Sequence, residues 1–142
     1  MRAIVITKPG GPEVLQIQEV PDPVPGEGDV LIRVEAFGVN HAKTDMRKGE
    51  WPEATPVSGI EAVGTVAADP SGALAEGTKV PAIMGGLGRV RNGSYAEYTT
   101  AGDGGEPGRR QARGAWGVEP LVRDAVDAAR LDHRKMRWPA AA

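Results

Sequence analysis

Three short β-branched runs alternate with turn-forming segments at the start of the chain. The runs cover residues 3–7, 15–20 and 30–39, and the segments between them are rich in proline and glycine. Proline removes a donor from a strand ladder and glycine adopts turn conformations, so neither segment is typical of an interior strand. The pattern therefore predicts three strands over these runs.

A short helix and three more strands complete the pattern. Asn40 is placed to cap a helix with its side-chain oxygen, and Gly49 is placed to end it. Further strands are predicted over 62–67, 78–84 and 94–100, the last after the turn-prone Asn92–Gly93 pair. Six short strands with one short helix predict a mainly β fold, namely a partly open β-barrel.

Composition changes abruptly after Gly102. Residues 103–142 contain no Ile, Thr, Ser, Asn, Tyr or Phe and are rich in Ala, Arg and Gly. The stretch 103–117 is typical of a disordered connector, and 118–137 has the periodicity of an amphipathic helix that begins near Pro120. We therefore predict a domain over 1–102 and an atypical, disordered or helical tail over 103–142.

Charge and cysteine content exclude several classes of function. The formal net charge is -2, which argues against a nucleic-acid or anionic-membrane partner. The chain has no cysteine, which excludes disulfides, thiolate zinc sites and a cysteine nucleophile. No stretch is typical of a membrane span or a signal peptide. A small-molecule or protein partner and a cytoplasmic location are the expectations that remain.

Several short segments occur together in one order. They are MRAIVITKPGGPEVL at 1–15, VPDP at 20–23, DVLIRV at 29–34, GVNHA at 38–42, RKGEWP at 47–52, GIEAVG at 59–64, GTKV at 77–80 and GSYAEY at 93–98. In this order they resemble the quinone-reductase-like branch of the medium-chain dehydrogenase/reductases, over about residues 1–101. The resemblance implies a GroES-like β-domain that forms one wall of an active-site cleft. In full-length relatives the opposite wall is a Rossmann domain that holds NADPH or NADH.

Two positions in these segments indicate whether the protein has the ligands of a catalytic zinc. Catalytic zinc needs about three ligands from Cys, His, Asp or Glu. Where zinc-dependent members of the superfamily carry cysteine and histidine, this sequence has Asn40 and Ile60, and His41 with Glu61 supplies at most two ligands. The resemblance therefore implies a zinc-independent member. Without a Lewis acid, quinones and conjugated carbonyls are the favoured substrates, because their charge spreads on reduction.

Three candidate site residues lie on or near the predicted helix. The resemblance implies that Asn40 lies beside the nicotinamide and the substrate, a role that is compatible with helix capping. Thr44 lies one turn later on the same face, where its hydroxyl either contacts the same ligand or faces solvent. Relatives often have tyrosine at the position of Asp45. A carboxylate there either repels electron-rich substrates or faces solvent, which leaves quinone specificity open.

Two further candidates have both a functional and a structural interpretation. Trp51, together with Met46, either covers a flat acceptor or packs in the core. Glu61 either acts in the cleft or is a buried carboxylate paired with Arg47 or Arg89. Neither alternative is excluded by the sequence.

The sequence contains no phosphate-binding glycine motif. The loop 85–93 has Arg91 where a dinucleotide fingerprint requires glycine, and no βαβ pattern surrounds it. Tyr95 and Tyr98 are interpreted as structural strand residues. We therefore expect a truncated oxidoreductase that lacks the cofactor domain, binds neither cofactor tightly and is inactive alone.

Two alternatives remain open. One is a non-catalytic module that binds a small molecule or a protein. The other is an unstable product of a frameshifted gene or of an internal deletion. Truncation would expose an apolar face of the β-domain and promote self-association.

Overall fold

The computed structural model describes residues 1–102, which form two antiparallel sheets and one short α-helix. The elements, in chain order, are β1 (Arg2–Ile6), a 3-10 turn (Pro12–Val14), β2 (Leu15–Glu19), β3 (Asp29–Phe37), α1 (Ala42–Lys48), β4 (Glu61–Ala68), β5 (Lys79–Ile83) and β6 (Tyr98–Gly102). The mainly β fold with one helix is confirmed, and its sheets are open. The predicted connector (103–117) and helix (118–137) lie outside the described residues.

The larger sheet has the order β5-β4-β3-β6, and all its pairs are antiparallel. Every second residue from Val30 to Val34 is buried, as expected for a strand with one face in a core. This core consists of small and branched side chains: Val30, Ile32, Val66, Val80, Ala82, Leu87 and Ala101.

The smaller sheet is a ribbon of β1 and β2. Bridges from Ala3 to Ala96 and from Val5 to Val57 attach β1 to the rest of the domain. These four residues and Tyr95 form a second core cluster. All five residues of β2 are exposed, so this strand forms the outer edge of the ribbon.

The predicted limits of most strands differ from the structure by one residue, and those of β3 and β6 differ by more. β6 begins at Tyr98 rather than at 94, because the backbone of 94–97 bonds to β1 and to the segment before β4: Tyr95 accepts from the Ile4 amide at 2.8 Å and donates to the Ser58 carbonyl at 3.0 Å. β3 ends at Phe37 rather than at 39, where the chain turns towards α1.

Helix α1 ends as predicted but begins differently. Gly49 is left-handed, with φ at 80°, and its amide bonds to the carbonyls of Asp45 and Met46. The expected Asn40 cap is wrong: the residue at the cap position is His41, and it makes no side-chain capping bond. Within residues 1–102, no helix has the length and apolar character needed to cross a membrane.

Gly64 allows β3 and β4 to pair closely. A Cβ atom on Gly64 would overlap the carbonyl oxygen of Arg33 and lie 2.8 Å from Cγ2 of Ile32. Both neighbours belong to the central strand, one through its backbone and one through a fully buried side chain, so neither can move away easily.

We therefore expect Gly64→Ala to lower the free energy of unfolding by about 2 kcal/mol, because overpacking a core typically costs this much. Urea unfolding followed by circular dichroism measures the change. Gly26→Ala is the matched control, since the nearest heavy atom to its added Cβ is 3.6 Å away. Equal stability of the two variants would contradict the close approach at Gly64.

Candidate functional site

Glu61 lies at the end of the sheet where β3 ends and β4 begins. Its carboxylate occupies the space beside Gly38, because a Cβ atom on Gly38 would overlap Oε1 of Glu61. The Ser94 hydroxyl donates to the Glu61 carbonyl at 2.5 Å, which anchors the backbone at this position. The Glu61 carboxylate can therefore lie here only because Gly38 has no side chain.

The Asn40 side chain turns towards this carboxylate. Its Nδ2 donates to Oε1 of Glu61 at 3.0 Å, while its Oδ1 is buried and has no hydrogen-bond partner in the part of the chain that the structure describes. Of the two interpretations of Glu61, the pairing with Arg47 or Arg89 is not observed. Arg47 donates to the Gly10 carbonyl instead, and Arg89 pairs with Glu53.

Lys43, on the first turn of α1, is a buried cation of the same region. The residue is only 7% exposed, and among residues 1–102 its Nζ has no hydrogen-bond partner. Burial lowers the pKa of Lys43 from 10.5 to about 8, because a charged ammonium loses hydration there. The negative charge of Glu61 acts in the opposite direction but does not overcome this loss.

Tyr95 lies close to the other side of Gly38. Its hydroxyl donates to the Gly38 carbonyl at 3.2 Å, and its ring packs against Phe37 with centroids 4.5 Å apart. Burial, and then the charge of Glu61, raise the pKa of Tyr95 to about 12. We refer to Gly38, Asn40, Lys43, Glu61 and Tyr95 as the Glu61 cluster.

An apolar rim lies at the same end of the sheet. Val39 is 71% exposed, and Ile83 and Met84 are each more than 40% exposed. Ile83 is the strand partner of Glu61, and the Met84 amide donates to the carbonyl of Ile60 at 2.6 Å. Exposed apolar side chains beside unpaired polar atoms are typical of sites that bind small molecules.

The other predicted site residues make contacts outside the cluster. In the described part of the chain, no hydrogen bond or ion pair joins the side chains of Thr44, Asp45 or Trp51 to Asn40 or Glu61. All three side chains are partly buried.

The side chains of Asp45, Trp51 and Met46 contact other residues. Asp45 lies 3.8 Å from the exposed imidazole of His41, and the Trp51 ring lies 5.5 Å from the Arg89 guanidinium. Met46 is buried and accepts a bond from the Ser58 hydroxyl, which is the core role. The structure therefore brings together Asn40 and Glu61 but not the full predicted set.

The residues at this end of the sheet do not fit a zinc ion. Across residues 1–102, no three His, Asp or Glu side chains converge on a point where they could hold a metal. Glu61 is bonded to the Asn40 amide, and the nearby ammonium of Lys43 would repel a divalent cation.

The sequence pattern did not predict Lys43, Tyr95 and Gly38 as residues of the candidate site. Lys43 follows Asn40 by three residues at the start of a predicted helix, a spacing that places two side chains near each other and would have indicated it. No comparable local signal exists for Tyr95, which reaches Gly38 from 57 residues away.

The pKa of Lys43 predicts a pH-dependent stability. Below about pH 8 the ammonium is charged in the folded and unfolded states, so the full cost of burying it is present. Between about 8 and 10.5 the folded state releases the proton before the unfolded state does, so this cost declines as the pH rises.

We therefore expect Lys43→Met to be more stable than the parent chain by about 1–2 kcal/mol near pH 7, with a smaller difference near pH 9.5. Urea unfolding at both pH values measures this, and Lys48→Met, at an exposed position on the same helix, is the control. Tyr95 loses its proton more readily in the unfolded state above about pH 10, so the comparison stays below that value. A destabilised Lys43→Met variant would show that Lys43 has a favourable partner.

Comparison with known proteins places these observations in a family. Residues 26–105 match the model of the alcohol dehydrogenase GroES-like domain. The chain is 37% identical to a quinone oxidoreductase of Lama guanicoe and 34% identical to that of Homo sapiens, each over 109 residues and 72% of this chain. An alcohol dehydrogenase of Rhizobium meliloti (strain 1021) is 47% identical over 70 residues, which is 47% of this chain and 20% of that enzyme.

Solved structures agree with these matches. A mycobacterial protein in complex with NADPH is 42% identical, with a TM-score of 0.61 over 72% of this chain and 30% of that chain. The quinone oxidoreductase from Coxiella burnetii is 28% identical, with a TM-score of 0.64 over 72% and 34% of the two chains.

These matches have limited coverage of the relatives. The chain spans about a third of the length of the quinone oxidoreductases that it matches, 32% in both the Lama guanicoe and the Homo sapiens proteins. Within that span the predicted resemblance is confirmed. The chain belongs to the alcohol dehydrogenase GroES-like domain family, in the medium-chain dehydrogenase/reductase superfamily of oxidoreductases.

Proposed function

We propose that this chain is the substrate-side domain of a zinc-independent, NAD(P)H-dependent reductase of quinones or conjugated carbonyls. The Glu61 cluster carries the proposal: it holds two buried polar atoms without partners, Asn40 Oδ1 and Lys43 Nζ, beside the apolar rim. The names of the quinone oxidoreductase relatives, and the NADPH in one solved relative, support the substrate and cofactor classes.

In this proposal the protein binds and orients the acceptor. Glu61 holds the Asn40 side chain in one orientation, because a carboxylate accepts from the amide nitrogen and leaves the amide oxygen free for a ligand. Val39, Ile83 and Met84 contact the apolar ring of the acceptor and exclude water. The nicotinamide, when bound, supplies the hydride.

Binding of the cofactor phosphates is assigned to a different domain. All strand pairs in residues 1–102 are antiparallel, so this part of the chain contains no βαβ unit of the kind that holds dinucleotide phosphates. The unpaired atoms of Asn40 and Lys43 fit one wall of a nicotinamide cleft only. We propose that this chain binds neither NADPH nor NADH tightly and does not catalyse turnover by itself.

We also propose that three residues outside the Glu61 cluster line the edge of the acceptor site. Thr44, Asp45 and Trp51 are each partly buried, so each can still line the acceptor when it is bound. We propose that this domain binds no catalytic zinc, because an amide (Asn40) and an alkyl side chain (Ile60) stand where zinc ligands are needed. A cytoplasmic location also stays a prediction.

A second candidate function is a non-catalytic binding module. The exposed edge strand β2 favours it, because Ile17 is 59% exposed and the other residues of the strand are exposed as well. Such an edge offers backbone groups and apolar surface to another strand, including one of a second copy. An unstable gene product, the remaining alternative, would lack a cooperative unfolding transition.

Titration of the 15N-labelled 142-residue chain with 1,2-naphthoquinone tests the first proposal. We expect saturable shifts of the amides at 38–44 and 60–61, with affinity about fivefold lower for Val39→Ser, because the apolar contact of this side chain with the quinone ring is lost. Val24→Ser, at another exposed valine that belongs neither to the Glu61 cluster nor to the apolar rim, is the control.

Two results would contradict this account. Shifts confined to β2 would favour the binding module. Saturable NADPH binding, or oxidation of NADPH by the quinone with this chain as the only protein, would refute the assignment of cofactor binding to another domain.

A further inference from the structure

We propose that Lys43 and Asn40 together form a binding site for an aromatic hydroxyl group. The Lys43 ammonium donates a hydrogen bond to the hydroxyl oxygen, and the Asn40 amide oxygen accepts a hydrogen bond from the hydroxyl. This inference rests on the proposed function, because a hydroquinone is the reduced form of a quinone acceptor. It assigns a binding role to Lys43 and identifies the functional group that the site selects.

The first observation is the pair of unsatisfied atoms. Asn40 Oδ1 is an acceptor and Lys43 Nζ is a donor, and both are buried without a hydrogen-bond partner. The two residues are three apart in sequence, and the Lys43 amide donates to the Asn40 carbonyl at 3.1 Å, so one helical turn carries both side chains. Buried polar atoms without partners are rare in folded proteins, and two on one turn indicate a missing partner.

The second observation is the chemistry that would satisfy both atoms at once. A hydroxyl group is both a donor and an acceptor, whereas a carbonyl or an ether oxygen is an acceptor only. A hydroxyl therefore bonds to both Asn40 and Lys43, while a quinone carbonyl bonds to Lys43 and leaves Asn40 unpaired. The site is expected to bind the reduced ligand more tightly than the oxidised one.

The third observation is that Lys43 has no direct ion-pair partner among residues 1–102. No ion pair within 4.0 Å includes its ammonium among the residues that the structure describes, although Glu61 is near enough to act on its charge. Glu61 is instead bonded to the Asn40 amide nitrogen. A buried lysine without a direct partner destabilises a protein, and a ligand that accepts a hydrogen bond from its ammonium would offset this cost.

The ligand class follows from the surroundings of the two atoms. Val39 directly precedes Asn40 and is exposed, and Ile83 and Met84 lie at the same end of the sheet. These side chains fit the face of a flat ring, while the polar pair binds the substituent on its edge. The flexible methylene chain of Lys43 allows its ammonium to adjust when such a ring binds.

A pair of matched ligands tests the inference on the full 142-residue chain. 2-Naphthol and 2-methoxynaphthalene have the same ring system, but only the first can donate a hydrogen bond. Isothermal titration calorimetry should show 2-naphthol bound at least about tenfold more tightly by the parent chain, because the ether leaves Asn40 Oδ1 unpaired.

Variants test the part assigned to Lys43. Lys43→Met should weaken 2-naphthol binding at least about tenfold, since a charge-assisted hydrogen bond is lost. Lys48→Met should bind like the parent chain. Circular dichroism of Lys43→Met confirms folding, and this variant is expected to be at least as stable as its parent, so weaker binding would not reflect unfolding.

Three outcomes overturn the inference: equal affinity for the two ligands, undiminished 2-naphthol binding by Lys43→Met, or no saturable 2-naphthol binding. Comparison with the quinone titration separates this failure from that of the proposed function. Quinone shifts at 38–44 without Lys43-dependent naphthol binding overturn the hydroxyl site alone. Lys43-dependent naphthol binding without quinone shifts overturns the reductase proposal and leaves the hydroxyl site supported.

Discussion

The antiparallel pairing of β3 with β4 positions the groups of the candidate site. Its close approach depends on Gly64, where any side chain would meet the backbone of the central strand. The register pairs Phe37 with Ala62, so the residue after β3, Gly38, lies beside Glu61, the first residue of β4. Because Gly38 has no side chain, the carboxylate fits against the chain and accepts the Asn40 amide. The geometry of the site is therefore a consequence of strand register.

The unpaired polar atoms that are proposed to bind a ligand lower the stability of the domain. The charge of Glu61 raises the pKa of both titratable neighbours. At Lys43 this opposes the effect of burial, which lowers the pKa, and at Tyr95 it adds to the effect of burial, which raises it. One carboxylate thus favours a charged lysine and a neutral tyrosine at neutral pH. It does not provide Lys43 or the Asn40 amide oxygen with a hydrogen bond. A ligand hydroxyl would supply what the fold leaves unsatisfied, and this relation connects the stability of the domain with its proposed function.

The sequence predicted the local elements well and the long-range contacts poorly. The β-branched runs indicated the first three strands, the later pattern with its turn signals indicated the other three, and Gly49 indicated the end of α1. Asn40 was expected to cap the helix with its side-chain oxygen, but its amide nitrogen bonds to the Glu61 carboxylate, 21 residues away, and its oxygen accepts no helix amide. Tyr95 was interpreted as a strand residue, yet 94–97 bonds to β1 and its hydroxyl reaches Gly38. Such contacts depend on how distant strands align, which local periodicity does not encode.

Family membership and the Glu61 cluster together lead to one central claim, that a buried and unpaired lysine occupies the proposed substrate wall. The most direct test is to follow the side-chain signals of Lys43 in the labelled 142-residue chain by NMR as the pH rises. The account predicts a midpoint near 8, because burial disfavours the ammonium. A midpoint near the ordinary value of 10.5 would show a solvated or paired lysine and would contradict the claim.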